Sequence, residues 1–103
     1  MKRDAAEKLG IRPFDAADYL KTEEDCADYL SVVLGDGDPA LLAAALGDVA
    51  RARGMTQVAR DSGLTREGLY KALREDGNPS FATVLKVMHA MGLQISVHAI
   101  AHA

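Results

Sequence analysis

Apolar residues recur at helical spacing along most of the chain. After Thr22 they fall on one face of a predicted helix, at Cys26, Leu30, Val33 and Leu34. A second stretch repeats the pattern at Leu42, Ala45, Leu46 and Val49. A third does so at Phe81, Val84, Leu85, Met88 and Met91. These stripes predict amphipathic helices whose apolar faces build a common core.

Capping residues mark where the helices begin and end. Side chains suited to a helix N-terminus precede five segments, at Thr22, Asp38, Thr56, Thr65 and Ser80. Glycines suited to a C-terminal cap follow, at positions 37, 54, 63 and 92. Asp15 is expected to cap a further short helix from Ala16 to Leu20, and residues 1–13 to form a flexible polar lead. The chain is therefore predicted to be mainly α, with five to six helices.

The C-terminal end carries a different pattern. Residues 94–100 alternate in part and contain β-branched side chains, which predicts a short strand. A lone strand needs a partner for its N–H and C=O groups, and a second copy of the chain in a twofold dimer supplies one. Ile95, Val97 and Ala99 are the expected dimerisation residues. Pairing with another protein or with an N-terminal segment is the alternative.

Composition narrows the functional classes. A chain of 103 residues with 49% hydrophobic residues suits one folded domain, placed at 14–103. Its single cysteine excludes an internal disulfide, and no CxxC or Cys/His cluster indicates a metal or cofactor site. No motif pairs a nucleophile with a base, so no enzyme is expected. The single cysteine fits a reducing cytoplasm, and no apolar run approaches the roughly 20 residues of a membrane span, so a cytoplasmic location is expected.

Charge is distributed unevenly along the chain. Residues 1–50 carry 5 Lys/Arg and 11 Asp/Glu, whereas residues 51–103 carry 7 and 4, which together give the net charge of −3. Six cations lie between Arg51 and Arg74, against only Asp61 and Glu67. Positive charge is thus focused on one segment, as a site for a polyanion requires. Scattered charges on a solvated face are the alternative interpretation.

The same segment has the spacing of two helices joined by a tight turn. Ala59 is small enough for a close helix crossing, Gly63 suits the turn, and Leu69 points inward. These features predict a helix-turn-helix over about 56–75. A helix pair used only for packing satisfies the same spacing.

The outward side of the second helix supplies candidate DNA contacts. In helix-turn-helix units its N-terminal residues enter the major groove. Arg66 suits guanine, Glu67 suits cytosine N4, and Tyr70 suits a phosphate or a thymine methyl. Lys71 and Arg74 suit phosphates. Phosphate contacts are also expected at helix starts and in the following loop, and the full DNA-binding set is Thr65, Arg66, Glu67, Tyr70, Lys71, Arg74, Thr56, Gln57, Asn78 and Ser80.

Three stretches of this sequence resemble the addiction-module antidote proteins, antitoxins with a Cro/CI-type (Xre-like) helix-turn-helix. They are FDAADYL, GDPALLAAALGDVARARGMTQVARDSGLTREGLYKAL and GNPSFATVLKVMHAMGL, within about 14–97. The resemblance implies a lambda-repressor-like fold, neutralisation of a small RelE/ParE-like toxin, and repression of the shared operon through operator DNA.

Two other interpretations remain open at this point. Glu23, Glu24, Asp25 and Asp28 form a dense acidic group, which is either a solvated face or a docking surface for a basic toxin. A protein-only antitoxin would use that surface without binding DNA. A stand-alone prophage-type repressor would bind DNA without a toxin.

Overall fold

The computed structural model describes residues 19–74 and 76–101, which contain five α-helices and no strand. The helices are α1 (Glu23–Asp36), α2 (Pro39–Arg53), α3 (Met55–Ser62), α4 (Arg66–Leu73) and α5 (Phe81–Ala90). The mainly helical architecture is therefore confirmed. The predicted polar lead, and the short helix at 16–20 apart from its last two residues, lie outside the described part.

Of the five predicted helix caps that lie within the described residues, four are present, and the sixth, at Asp15, lies outside them. Thr22 forms a reciprocal capping box with Asp25: its hydroxyl accepts from the Asp25 N–H, and the Asp25 carboxylate accepts from the Thr22 N–H. Asp38 accepts from the Ala40 N–H, with proline at the first position of α2. Thr65 and Ser80 each accept an N–H three residues on, from Gly68 and Thr83.

The predicted cap at Thr56 is wrong. The helix α3 begins at Met55, directly after Gly54, and no side chain caps it. Gly54 is the single residue between α2 and α3: its N–H donates to Ala50 and its carbonyl accepts from Val58. Its φ of 106° suits glycine, which makes so short a junction possible. The Val58 N–H donates to the Gly54 carbonyl and closes the first turn at Met55, so Thr56 lies within that turn.

The helix α2 packs against three of the other four described helices. It contacts α1, α3 and α4, while α5 packs on α3. Its buried residues include Leu46 and Val49, both fully enclosed. Side chains from all five helices share this core, among them Leu30, Leu46, Val58, Leu69 and Val87. Burial of this apolar surface is the main term that stabilises the fold.

Two predicted core positions lie at the surface instead. Phe81 is 68% exposed, because it is the first residue of α5 and lies next to the cap at the helix end. Leu34 is 38% exposed, near the end of α1. The remaining apolar positions of these two stripes are buried or half-buried. The helical period therefore identified the core faces, and the errors are confined to helix ends.

The predicted C-terminal strand is absent. Residues 93–101 adopt neither helix nor strand, because no other extended segment lies within the described chain for them to pair with. Ile95 packs partly against the core, whereas Val97 is 93% exposed and Ile100 is 78% exposed. Ala99 is also exposed.

Candidate nucleic-acid interface

The helix α4 turns two leucines inward and a polar face outward. Leu69 is completely buried and Leu73 nearly so, and both belong to the common core. Five side chains at or after its N-terminus are exposed, namely Thr65, Arg66, Glu67, Tyr70 and Lys71. The predicted orientation of this helix is therefore present, and its first turns are open to a ligand.

The N-terminus of α4 is held by its threonine cap. The Thr65 hydroxyl accepts from the Gly68 N–H at 2.9 Å. A Cβ added at Gly68 would lie 2.9 Å from that same hydroxyl, so this position favours glycine. Gly68 is also exposed, so no side chain projects from the middle of the outer face of α4. Sequence reasoning missed this residue, although a glycine inside a short helix is itself a signal of close approach.

Arg66 and Tyr70 form a pair one helical turn apart. The Arg66 guanidinium lies 5.4 Å from the centre of the Tyr70 ring, within range of a cation–π contact. Its Nη2 also donates to the Tyr70 hydroxyl at 3.3 Å. The tyrosine is 46% exposed, so the pair stands at the surface. This contact orients the arginine before any ligand binds.

An open depression of about 690 Å³ follows the outer side of α4. Its lining contains six residues, namely Thr65, Glu67, Gly68, Tyr70, Lys71 and Arg74. Five of these are predicted DNA contacts. Arg74 forms a 3.0 Å ion pair with Asp76, and because both side chains are largely exposed, this pair holds the arginine only weakly.

A second groove, of about 580 Å³, runs between α3 and α4. Three arginines and no carboxylate line it, together with five other residues: Arg51, Arg60, Arg66, Gly54, Met55, Thr56, Gln57 and Tyr70. Thr56 and Gln57 therefore line the same groove as the Arg66–Tyr70 pair. Residues that contact one ligand must lie together in this way.

Arg51 and Arg60 were not among the predicted contacts. Arg60 donates to the Gln57 side-chain oxygen at 2.5 Å, and Gln57 in turn donates to Asp61 at 2.8 Å. Arg51 comes from the last turn of α2 and forms an ion pair with Asp48. Both are i,i+3 neighbours of their partners on exposed helix faces. Only the concentration of cations between 51 and 74 pointed to them from the sequence.

Asn78 and Ser80 line neither the depression nor the α3–α4 groove. The Ser80 hydroxyl caps α5: it accepts from the Thr83 N–H and donates to the Thr83 hydroxyl at 3.0 Å. The structure therefore brings eight of the ten predicted contacts to two adjoining concave surfaces, and leaves these two apart.

Two groups with shifted pKa values lie on α1, outside this interface. Burial raises the pKa of the Cys26 thiol. Burial, together with the hydrogen bond to Asp48, raises the pKa of Tyr29 to about 12. Within residues 19–74 and 76–101 no cluster of three or more His, Cys, Asp or Glu residues is arranged to hold a metal ion. None of the helices described there is long and apolar enough to cross a membrane.

Comparison with known proteins places this chain in a family. The family described as "Probable addiction module antidote protein" matches residues 10–99. An uncharacterized protein of Haemophilus influenzae is 53% identical over 87 residues, which cover 84% of this chain and 90% of that relative. No solved structure gives a significant match. The chain belongs to the addiction-module antidote family.

Proposed function

We propose that this protein is the antitoxin of a type II toxin–antitoxin pair, and that it binds operator DNA through α3 and α4 as a helix-turn-helix. Family membership supports the antitoxin role. One observation carries the DNA-binding part: α4 buries Leu69 and Leu73 and presents Arg66, Tyr70 and Lys71 outward on one face. In this proposal α4 is the recognition helix, and the toxin is a small RelE/ParE-like protein that the antitoxin neutralises by binding.

The side chains of α4 divide into two kinds of contact. Arg66 reads guanine through two hydrogen bonds, and Tyr70 stacks on it and fixes its direction. Lys71 and Arg74 contact phosphates, which set the register of the helix without reading sequence. Gly68 allows the helix backbone to approach the bases or the phosphate chain closely.

The α3–α4 groove, which lies on the other side of Tyr70 from the depression, contacts the phosphate backbone of the DNA in this proposal. The first N–H groups of α3 have no side-chain cap, so they are available to a phosphate. Arg51, Arg60 and Arg66 line the same groove and add positive charge. A duplex whose major groove receives α4 would therefore place a phosphate strand along α3.

We also propose that the protein acts as a dimer on two half-sites. Helix-turn-helix dimers place their recognition helices about 34 Å apart, one turn of duplex. The exposed apolar side chains of Val97 and Ile100 support a dimer contact through the C-terminal segment, which includes the predicted dimerisation residues Ile95, Val97 and Ala99.

The direct test is a fluorescence-anisotropy titration against DNA from upstream of its own gene. A scrambled duplex is the control, and both are measured at two salt concentrations. We expect specific binding whose affinity falls steeply with salt, because several cations replace counterions on the phosphates. Binding to neither duplex would reject the DNA-binding part of this proposal.

Single substitutions then separate the two kinds of contact. Arg66→Ala is expected to cost about 1–3 kcal/mol on the operator and to weaken discrimination at one base pair. Lys71→Ala is expected to weaken binding to all sequences and to lower the salt slope by about 1. Lys86→Ala is the matched control, because Lys86 is exposed on α5 and lines neither concave surface. Equal losses from all three variants would contradict the assignment of α4.

A second candidate function rests on the acidic part of the chain. No Lys or Arg occurs between Lys21 and Arg51, a stretch that includes α1 and most of α2. A protein-only antitoxin would bind its toxin through such a surface and would not bind DNA. Toxin binding without binding to either duplex would select this function, and operator binding without a toxin partner would select a stand-alone repressor.

A further inference from the structure

An apolar groove lies where α1 turns into α2, away from the cationic interface. It measures about 180 Å³, and it is lined by Val33, Leu34, Gly37, Asp38, Pro39 and Leu42. Leu34 is 38% exposed at this groove, and the adjoining Leu41 is 44% exposed. We name the six residues that line the groove the α1–α2 corner. A groove of this kind suits one large apolar side chain, the usual anchor of a protein–protein interface.

The corner is held in shape before any partner arrives. Gly37 ends α1 in the left-handed conformation, with φ of 83°. The Asp38 carboxylate then accepts from the Ala40 N–H at 3.0 Å, and Pro39 fixes the first residue of α2. A surface that needs no rearrangement loses less conformational entropy on binding.

The helix that leads into the corner is acidic, and its exposed carboxylates lie mainly on the face turned away from Leu34. Along α1, positions four residues apart form one exposed stripe, made of Glu24, Asp28, Val32 and Asp36. Val32 is 76% exposed, so the stripe presents an apolar side chain between carboxylates. Asp38 adds a further carboxylate at the edge of the groove. No lysine or arginine occurs in α1 or in this turn to offset these charges.

We propose that the α1–α2 corner is the docking surface for the toxin, and that it receives an apolar side chain of a basic protein. This proposal rests on the antitoxin role proposed above. Charge selects the occupant. Nucleic acid would be repelled by these carboxylates, and a second copy of this chain would bring two acidic faces together. A basic protein complements both the charges and the groove.

The position of α1 in the fold suits such a role. Of the described helices, α1 packs on α2 and on no other. A partner at the α1–α2 corner can therefore bind without displacing α3 or α4. The antitoxin would hold its toxin and its operator on different surfaces of one chain.

The test uses the protein encoded by the reading frame next to this gene, purified and titrated calorimetrically against the full-length chain. We expect tight binding by the wild type and a loss of at least about tenfold for Leu34→Asp. Phe81→Asp is the matched control, because Phe81 is also an exposed apolar residue on a helix, outside the corner. Circular dichroism verifies that each variant is folded.

A second variant tests the charge. Asp28→Lys combined with Asp36→Lys is expected to slow association at least about tenfold at low salt, with a smaller loss at high salt. Both residues are exposed, and neither caps a helix. An unchanged association rate would overturn the electrostatic part of the proposal.

The outcomes separate this proposal from the one on which it rests. If the wild type does not bind the neighbouring gene product, the antitoxin role is rejected and the docking surface is rejected with it. If the wild type binds and Leu34→Asp binds equally well, the antitoxin role stands and the docking surface is wrong. If Leu34→Asp instead changes a dimer to a monomer in light scattering, with toxin affinity intact, a second copy occupies the corner and the proposal is overturned.

Discussion

Two helices of this protein, α1 and α4, fold by the same rules and present opposite surfaces. Each begins at a threonine cap, at Thr22 and Thr65, and each turns an apolar face into the common core. The exposed face of α1 is acidic, with no lysine or arginine. The outer face of α4 carries Arg66 and Lys71. The core positions and caps therefore determine the fold, while the exposed positions are free to differ and determine what each face can bind.

The difference also reconciles the proposed DNA binding with the acidic net charge of the protein. Its net charge of −3 is the sum of an acidic first half and a basic second half. At physiological salt, exposed charges further apart than about 8 Å are largely screened from one another. A phosphate chain along α3 and α4 would therefore experience mainly the local cations.

The largest expected effect comes from a pair of helical glycines. A Cβ at Gly47 in α2 would lie 2.8 Å from the backbone oxygen of Leu73, at the end of α4. Gly47→Ala should lower the free energy of unfolding by about 1–2 kcal/mol, because overpacking outweighs the gain in helix propensity. Gly35→Ala in α1 meets nothing within 4 Å and should raise it by about 0.5–1 kcal/mol. Urea denaturation measures both.

The two glycine variants should also differ in DNA binding. Gly47→Ala pushes on α4 and should weaken operator binding, whereas Gly35→Ala should leave it unchanged. Changes of the same sign in the two unfolding free energies would contradict the close approach of α2 and α4 at Gly47.

The next effect compares the two threonine caps. Thr22→Ala and Thr65→Ala should each destabilise the fold by about 1 kcal/mol, because each removes an oxygen that satisfies a helical N–H. Only Thr65→Ala should also weaken operator binding, because that cap lies in the depression along α4. Thermal denaturation and anisotropy give the two values. Equal operator affinity for the two variants would show that Thr65 is not part of the interface.

The smallest effect concerns Tyr29, which joins α1 to α2 by donating to Asp48 at 2.9 Å. Its pKa is raised to about 12, mainly by burial and then by this carboxylate. The pKa of a tyrosine in the unfolded chain is about 10. A raised folded pKa gives stability that is complete below about pH 10 and is lost as pH rises towards about 12.

Replacing Tyr29 by Phe should remove this dependence on pH. At neutral pH the change should cost about 1 kcal/mol, the value of one hydrogen bond. Between pH of about 10 and about 12 the variant should lose less stability than the wild type. Tyr70→Phe is the control, because Tyr70 is 46% exposed. The same loss in wild type and Tyr29→Phe would show that Tyr29 does not carry this dependence.

The sequence predicted the parts of the fold that depend on local chemistry. Four caps follow from side chains that bond to their own helix, and the core face of each long helix follows from the period of its apolar residues. The cap predicted at Thr56 is wrong because Gly54, with its φ of 106°, lets α3 begin one residue after α2 ends. The strand failed because pairing needs a second extended segment, and the described chain contains none.

The candidate interface was predictable on one helix and not across helices. The outward residues of α4 follow from its period once Leu69 and Leu73 are placed inside. Arg51 and Arg60 come from α2 and α3, so their place in the groove depends on how three helices pack. The α1–α2 corner likewise appears only when Leu34 and Leu42, eight positions apart, are brought together.

Amide hydrogen exchange, followed by mass spectrometry, tests the separation of the two surfaces most directly. It would compare the free protein with the protein bound to a duplex from its own upstream region. We predict slower exchange in residues 54–74, which span α3 and α4, and unchanged exchange in α1. Protection of α1 by DNA, or no protection in 54–74 despite binding, would contradict the account.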